Sequence, residues 1–292
     1  MKIADFVELL RPFTLLAPFA GVFCGALMAA GASGIGISTG TLMVMLVAAA
    51  SAALLNGASN IFNQACDLEA DMINKPARPI PSGRVGVREA EWAAAGVYAF
   101  ALLLSATVNA WFFVLASVAA VLTIFYSWPP IRLKNRGWIA NLTIAVSRGT
   151  LLTVAGWSVL ASPFSPIPWF IGGIFGIYLL GAASTKDFAD IAGDEKMGSM
   201  TLPIIYGVDG AARIIAPFFA LPFLLVPVGV YLGILPSAAL PLALIALWGA
   251  YAAYLVVKDP KTLALEANHP SWIHMYLIMV VSYAGFAISF LI

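Results

Sequence analysis

The sequence predicts an all-α fold, a polytopic membrane protein whose core is a bundle of nine transmembrane helices. Two observations lead to this prediction. Of the 292 residues, 62% are apolar and only 10% are charged, whereas about a quarter of the residues of a typical soluble domain are charged. Apolar segments of about 20 residues, the length that crosses a bilayer as a helix, also recur from residue 13 to the last residue.

Each long apolar segment is expected to form one spanning helix. The third and fourth segments meet at Asn109, and together they are too long for a single span, so we expect a tight hairpin there. The polar stretches between segments are too short to fold by themselves, so residues 1–292 are expected to form one membrane domain. The predicted spans are 13–31, 41–62, 91–108, 110–128, 138–160, 167–186, 211–233, 237–258 and 272–292.

Charged residues are predicted to gather at one end of this bundle. The connections after spans 2, 4, 6 and 8 lie on the side of the N-terminus, and they hold most of the Lys and Arg residues. The opposite connections at 32–40, 162–168 and 233–237 hold none. The positive-inside rule therefore places the charged end in the cytoplasm.

The acidic residues lie at the same end of the bundle, so we expect the active site there. A net charge of +1 gives no reason to expect a nucleic-acid partner.

A first acidic cluster lies where the second predicted span leaves the membrane. Asn63, Asp67 and Asp71 recur at intervals of four residues, so a continuous helix would place them on one face. Two carboxylates stacked in this way repel each other and favour a bound cation. Hard carboxylate oxygens suit Mg²⁺, which commonly takes one or two protein carboxylates together with substrate phosphates.

A second acidic cluster closes the sixth predicted span in the same manner. Asp187, Asp190 and Asp194 are spaced three and four residues apart, which again predicts one helical face. Asp67 and Asp71 map onto Asp190 and Asp194 with one common offset of 123 residues. The repeated spacing indicates a diverged internal duplication and a second set of Mg²⁺ ligands.

Basic residues surround both clusters and would supply donors for phosphate oxygens. They are Lys75, Arg78, Arg132, Lys134 and Lys186. Arg148 differs from them because it lies inside the fifth predicted span, where a charge is costly and usually functional. We therefore expect Arg148 to be catalytic, and Asn141, about two helical turns before it, to bind substrate.

Taken together, these motifs resemble the UbiA superfamily of intramembrane prenyltransferases. They are Asn63-x-x-x-Asp67-x-x-x-Asp71 followed by Lys-Pro-x-Arg-Pro, the Tyr-Ser-x-Pro-Pro-x-Arg-x-Lys block, and Gly193-Asp194 before Thr-Leu-Pro. The resemblance covers the whole chain. It implies nine helices, a polyprenyl diphosphate donor, two Mg²⁺ ions that bridge the diphosphate, and a central cavity open to lipid. It also implies a role for Tyr126 beside the diphosphate, and for Asn63 in binding both metal and substrate.

The resemblance is greatest to the branch of chlorophyll synthases and archaeal digeranylgeranylglyceryl phosphate synthases, which favours a geranylgeranyl donor. The lipophilic acceptor is left open between geranylgeranylglyceryl phosphate, a chlorophyllide-like molecule and an aromatic quinone precursor. A terpene cyclase of the same family, acting on the same diphosphate, is an alternative. A secondary transporter is a weaker one, because its coupling carboxylates would lie near the bilayer midplane rather than at helix ends.

Overall fold

The computed structural model describes residues 1–265 and 269–292, and within these ranges the chain consists of helices and connections without a strand. Nine of the described helices are long and apolar enough to cross a membrane, as predicted. The protein is therefore an integral, multi-pass membrane protein. The helices are α1 (Pro12–Ser33), α2 (Thr39–Cys66), α3 (Val87–Val108), α4 (Ala110–Ser127), α5 (Trp138–Ser158), α6 (Pro166–Ala189), α7 (Leu202–Tyr231), α8 (Ser237–Lys258) and α9 (Pro270–Leu291).

The predicted hairpin between α3 and α4 is confirmed, and Asn109 is the residue that forms it. Its side-chain oxygen accepts a hydrogen bond of 2.9 Å from the backbone N–H of Phe112, which caps the first turn of α4. Its amide nitrogen donates to the carbonyl oxygen of Ser158 at 2.9 Å, at the end of α5. One side chain thus starts a helix and ties it to a neighbour.

The largest difference from the predicted bounds is in α7, which begins at Leu202 rather than near residue 211. Gly207 kinks this helix with a φ of 71°, a left-handed conformation that favours glycine. Asp209 follows the kink by two residues and interrupts the apolar run, so hydropathy alone detected only the apolar segment after it.

Small residues bring the central helices close together. A Cβ atom on Gly25 of α1 would lie 2.9 Å from the Cα atom of Gly156 in α5. A Cβ atom on Gly149 of α5 would lie 2.8 Å from the Cα atom of Gly176 in α6. Close approach at small residues is how helices commonly pack in lipid, where the hydrophobic effect does not drive them together. Helix α5 is therefore held between α1 and α6.

The N-terminal segment is attached to the bundle by polar groups of α2. A short helix, Ile3–Leu10, precedes α1, and the turn at residues 9–14 joins the two. Asn56, Asn60 and Gln64, spaced four residues apart on α2, donate to carbonyl oxygens of this turn at 3.2, 3.0 and 2.9 Å. These buried amides thus find partners in backbone groups that would otherwise be unsatisfied.

Candidate active site

Both acidic clusters lie at breaks in helices rather than on continuous helices, which corrects the prediction. Helix α2 ends before Asp67 and a new helix, Leu68–Asn74, follows. Helix α6 ends before Asp190, and Ile191–Lys196 follows it. Asp67 has φ −107° and ψ 15°, and Asp190 has φ −107° and ψ 4°. The same break at two positions with an offset of 190 − 67 = 123 residues agrees with an internal repeat.

The two clusters share one polar cavity of about 130 Å³, although more than a hundred residues separate them in sequence. Asn74 connects the two breaks directly. Its amide nitrogen donates to the carbonyl oxygen of Asp190 at 3.0 Å, and its side-chain oxygen accepts from the N–H of Gly193 at 2.9 Å. The predicted site residues that line this cavity are Asn63, Asp67, Asp71, Lys75, Arg78, Tyr126, Lys134, Lys186, Asp187, Asp190 and Asp194.

Basic side chains pair closely with three of these carboxylates. Nη1 of Arg78 donates to both oxygens of Asp71, at 2.9 and 2.7 Å. The Lys75 ammonium pairs with Asp190. Asp67 accepts from Lys134, and from Nη2 of Arg132 at 3.2 Å. Two further members of the clusters have other surroundings: Asn63 donates to Asp67 at 2.9 Å, and a carboxylate oxygen of Asp187 lies 4.0 Å from Nζ of Lys186.

Burial shapes the electrostatics of this cavity. It raises the pKa of Asp71 to about 6, against the opposing effect of Lys75. It also raises the pKa of Asp194, which Lys134 lowers. Removal from water disfavours the charged form of a carboxyl group and so raises its pKa, whereas a nearby cation favours the charged form and lowers the pKa. Both carboxylates are therefore sensitive to any further positive charge that enters the cavity.

The residues present fit Mg²⁺ together with an anion. The described ranges contain no group of three His, Cys, Asp or Glu side chains arranged to hold a metal ion unaided. Mg²⁺ does not require such a group, because it retains waters and shares phosphate ligands with its substrate. The hydroxyl of Thr201 and Nε of Arg132 are buried without a hydrogen-bond partner among the described residues. Thr201 lines the polar cavity, so its hydroxyl is available as a donor to an anion beside the carboxylates.

A second cavity, of about 710 Å³, adjoins the polar one. Its walls are mainly apolar side chains of α1, α4, α5, α6 and α9, such as Val22, Leu115, Leu152, Leu179 and Met279. Both cavities share five lining residues, which mark the place where they meet. These are Arg11, Asn74, Lys75, Arg78 and Lys186.

The other predicted residues lie at different distances from this junction. Lys186 donates to the Tyr126 hydroxyl at 2.7 Å, and its ammonium lies 5.1 Å from the centre of the Tyr126 ring. Arg132 reaches the site through Asp67. Arg148 lines the apolar cavity only. Asn141 lines neither cavity, because it is buried and its amide donates to Ser184 of α6. The structure therefore does not bring Asn141 to the site.

Four polar residues that the sequence did not single out also line the polar cavity, namely Arg11, Asn74, Asn135 and Thr201. Asn74 could have been found, because it follows Asp71 by three residues and so continues the spacing of the first cluster. Arg11 has an unusual backbone conformation, which it shares with Arg132. Among the described residues they are the two non-glycine residues with positive φ, at 55° and 42°, a conformation that local sequence does not signal.

Comparison with known proteins agrees with this geometry. The model of the UbiA prenyltransferase family matches residues 18–283. A digeranylgeranylglyceryl phosphate synthase of Methanopyrus kandleri is 34% identical over 277 residues, which cover 90% of this chain and 97% of that protein. The bacteriochlorophyll synthase 33 kDa chain of Rhodobacter capsulatus is 30% identical over 259 residues, covering 87% and 84%.

The fold has solved counterparts as well. The structure of a UbiA homolog from Archaeoglobus fulgidus bound to DMAPP and Mg²⁺ superposes with a TM-score of 0.70 at 19% identity, covering 98% of this chain and 99% of that one. At this identity the likeness concerns the fold, while the sequence matches concern the family. The chain belongs to the UbiA prenyltransferase family, and it is a membrane-embedded prenyltransferase.

Proposed function

We propose that this enzyme transfers a polyprenyl group, of geranylgeranyl length, from its diphosphate to a lipophilic acceptor, with Mg²⁺ as cofactor. The observation that carries the proposal is the junction of the two cavities. A polar chamber lined by carboxylates and cations opens into an apolar chamber of about 710 Å³. A prenyl diphosphate has the same division, with a charged head and an apolar tail.

The relatives support the donor and the cofactor. Two of them are named for the synthesis of a digeranylgeranylglyceryl phosphate and of bacteriochlorophyll, and a homolog of the same fold binds DMAPP, an allylic diphosphate, with Mg²⁺. Two ions are proposed, one for each acidic cluster. Their ligands would come from Asn63, Asp67, Asp71, Asp187, Asp190 and Asp194. When bound, Mg²⁺ would supply positive charge to the leaving diphosphate.

The basic residues have a complementary role in cleavage of the allylic C–O bond. The electron pair of this bond leaves with the diphosphate oxygen, so negative charge grows on the head group. Lys75, Arg78 and Lys134 line the polar cavity and would turn from their carboxylate partners to the phosphate oxygens. Preorganised donors directed at developing charge are the strongest general means of lowering such a barrier.

The apolar cavity would protect the allylic cation until the acceptor nucleophile forms the new bond to its terminal carbon. Water is the competing nucleophile, and apolar walls such as Leu115 and Leu152 leave it few partners. The proton released by the acceptor passes to a base in the polar cavity. The charged end of the bundle is proposed to face the cytoplasm, in accordance with the positive-inside rule, and residues 1–292 are proposed to form one domain.

The test is an assay of the purified full-length protein with radiolabelled geranylgeranyl diphosphate and MgCl₂. Geranylgeranylglyceryl phosphate, chlorophyllide and a neutral quinone precursor are added separately as acceptors. We expect a labelled lipid product that forms only with an acceptor. Asp67→Asn should reduce its formation by about a hundredfold or more, whereas Glu195→Gln, outside both cavities, serves as the matched acidic control. A labelled cyclic hydrocarbon formed without acceptor, or no consumption of donor, would overturn the proposal.

A further inference from the structure

Two of the arginines that line the apolar cavity form no ion pair with a carboxylate of the described residues. Arg11 comes from the turn before α1, and Arg148 comes from α5; both line the 710 Å³ cavity. Within residues 1–265 and 269–292 no acidic group lies at ion-pair distance from either guanidinium, and Arg11 interacts with Asp71 only at longer range. This differs from Arg78, Arg132, Lys75 and Lys134, each of which pairs with an aspartate.

The position of Arg11 is imposed by its surroundings. Its φ of 55° and ψ of 69° are left-handed, which is uncommon for a residue with a Cβ atom and persists only where neighbours hold it. The neighbours are the amides of α2 that bind the turn at residues 9–14, and the hydroxyl of Thr14, which donates to the Arg11 carbonyl oxygen at 2.9 Å. This network directs the guanidinium to the wall that both cavities share.

The position of Arg148 is equally specific. It lies in a π-helical segment, Ala145–Thr150, in the middle of α5, and such segments often mark functional sites because the extra residue redirects a side chain. Nη2 of Arg148 donates to Ser59 of α2 at 3.3 Å, a long bond that leaves most of its donors unused.

Two like charges facing one apolar cavity favour an anion between them, since a charge removed from water requires a partner. The forked geometry of guanidinium groups matches the oxygens of a phosphate or a carboxylate. The donor diphosphate already has the polar cavity, with its own cations. The anion on the apolar side would therefore belong to the second substrate.

We propose that Arg11 and Arg148 bind an oxyanion carried by the acceptor, so that the enzyme selects acceptor lipids with a phosphate monoester or carboxylate over neutral ones. This proposal rests on the proposed function and specifies its substrate class. It assigns Arg148 to acceptor binding, and it assigns a role to Arg11, which the sequence did not single out. The acceptor would enter with its oxyanion at the two arginines and its apolar tail along the walls of α1 and α9.

The test is a binding assay that involves no turnover. Full-length protein, without Mg²⁺ or donor, is titrated with radiolabelled 1-oleoylglycerol 3-phosphate, with oleic acid, and with neutral 1-oleoylglycerol, which has the same acyl chain. We expect the phosphate lipid, the carboxylate lipid or both to bind at least about tenfold more tightly than 1-oleoylglycerol. Which of the two anionic probes is preferred identifies the oxyanion.

Arg11→Gln and Arg148→Gln should each reduce this preference about tenfold while 1-oleoylglycerol binding is unchanged, which also shows that each variant is folded. Lys134→Gln, which changes only the polar cavity, should keep the preference. Equal binding of all three probes to the unmodified protein would overturn the proposal. So would a preference that survives both arginine substitutions, or full displacement of the phosphate lipid by magnesium pyrophosphate. Because no transfer is measured, these results are independent of whether the proposed reaction occurs.

Discussion

Asn74 is bonded to Asp190 across the cavity, its amide donating to the carbonyl oxygen at the break in α6. The same side chain accepts from the N–H of Gly193, so the residue after the first cluster fixes the backbone of the second. The two clusters are thus held in register by a neutral group that needs no ligand. These bonds hold the two clusters in position without help from the ion pairs of the site.

Asn74→Ala should therefore weaken magnesium activation more than it weakens the fold. The substitution removes two hydrogen bonds, worth about 1 kcal/mol each, and leaves the break in α6 unsupported. We expect the Mg²⁺ concentration at half-maximal activity to rise roughly tenfold. The matched control is Asn109→Ala, which also removes bonds of one asparagine but lies at the opposite end of the bundle. It should lower Tm and leave the magnesium dependence unchanged; an equal shift in both variants would contradict the assignment.

Asp67 and Asp190 should act as one unit. Asp67→Asn and Asp190→Asn are each expected to reduce kcat by about a hundredfold or more, because each removes an essential part of a shared site. The double variant should be little worse than either single one, as is found for groups that function together. Steady-state kinetics of the three variants measure this. Losses that multiply would indicate two independent sites.

Removal of the metal should stop transfer reversibly. Excess EDTA is expected to abolish product formation, and added MgCl₂ should restore it. Because burial raises the pKa of Asp71 to about 6, a proton competes with the metal below that pH. The Mg²⁺ requirement should consequently increase as the pH falls from 7 to 5 and remain nearly constant above 7. Equal activity in EDTA and in MgCl₂ would show that the reaction does not require Mg²⁺.

The orientation can be tested by cysteine labelling in intact cells. In a background with Cys24→Ala and Cys66→Ala, an impermeant maleimide should label Ile35→Cys and Phe164→Cys from outside. Arg88→Cys and Lys261→Cys should react only after the cells are opened, since they lie at the charged end. All four positions are exposed, so access alone decides the result. The reverse pattern would show that the active site faces outward.

Neighbouring glycines in α6 should respond differently to the same change. A Cβ atom on Gly172 would lie 2.8 Å from the carbonyl oxygen of Thr150, whereas one on Gly173 would meet nothing within 4 Å. Gly172→Ala is expected to destabilise the protein by about 1–3 kcal/mol through overpacking. Gly173→Ala should be neutral or stabilising by about 0.5 kcal/mol, because alanine favours the helix. Tm in detergent distinguishes them, and equal values would disprove the close contact.

The sequence was sufficient for the helix count and for the end of the bundle that carries the site, because both depend on hydropathy and charge distribution. The spacing of the acidic residues also identified the two clusters. Neither the breaks at Asp67 and Asp190 nor their ion pairs could be predicted in this way. No glycine or proline marks either break, and the pairing of Lys75 with Asp190 depends on how α2 and α6 meet.

Arg11 and Asn141 show what the sequence could not predict: Arg11 lines the cavities but was not singled out, and Asn141 was singled out but lines neither cavity. Arg11 stands beside a span among ordinary interfacial charges, and only the left-handed turn brings it to the cavities. Asn141 lies close in sequence to Arg148, but the two face different neighbours, and Asn141 donates to Ser184 instead. Proximity along a helix does not establish a shared face when a π-helical segment begins between the residues.

The matching breaks also bear on how such an enzyme could originate. Each half of the chain provides one cluster and therefore an incomplete chamber, so an ancestor of half the length would have worked only as a pair of identical subunits. Fusion of two such copies in one polypeptide would release each from the need to be symmetrical. The two halves now differ at these positions: at the offset of 123 residues, Lys75 and Arg78 of the first half correspond to Gly198 and Thr201 of the second. Within a fused chain only one half needs to supply these cations, which leaves the corresponding positions of the other half open to different roles.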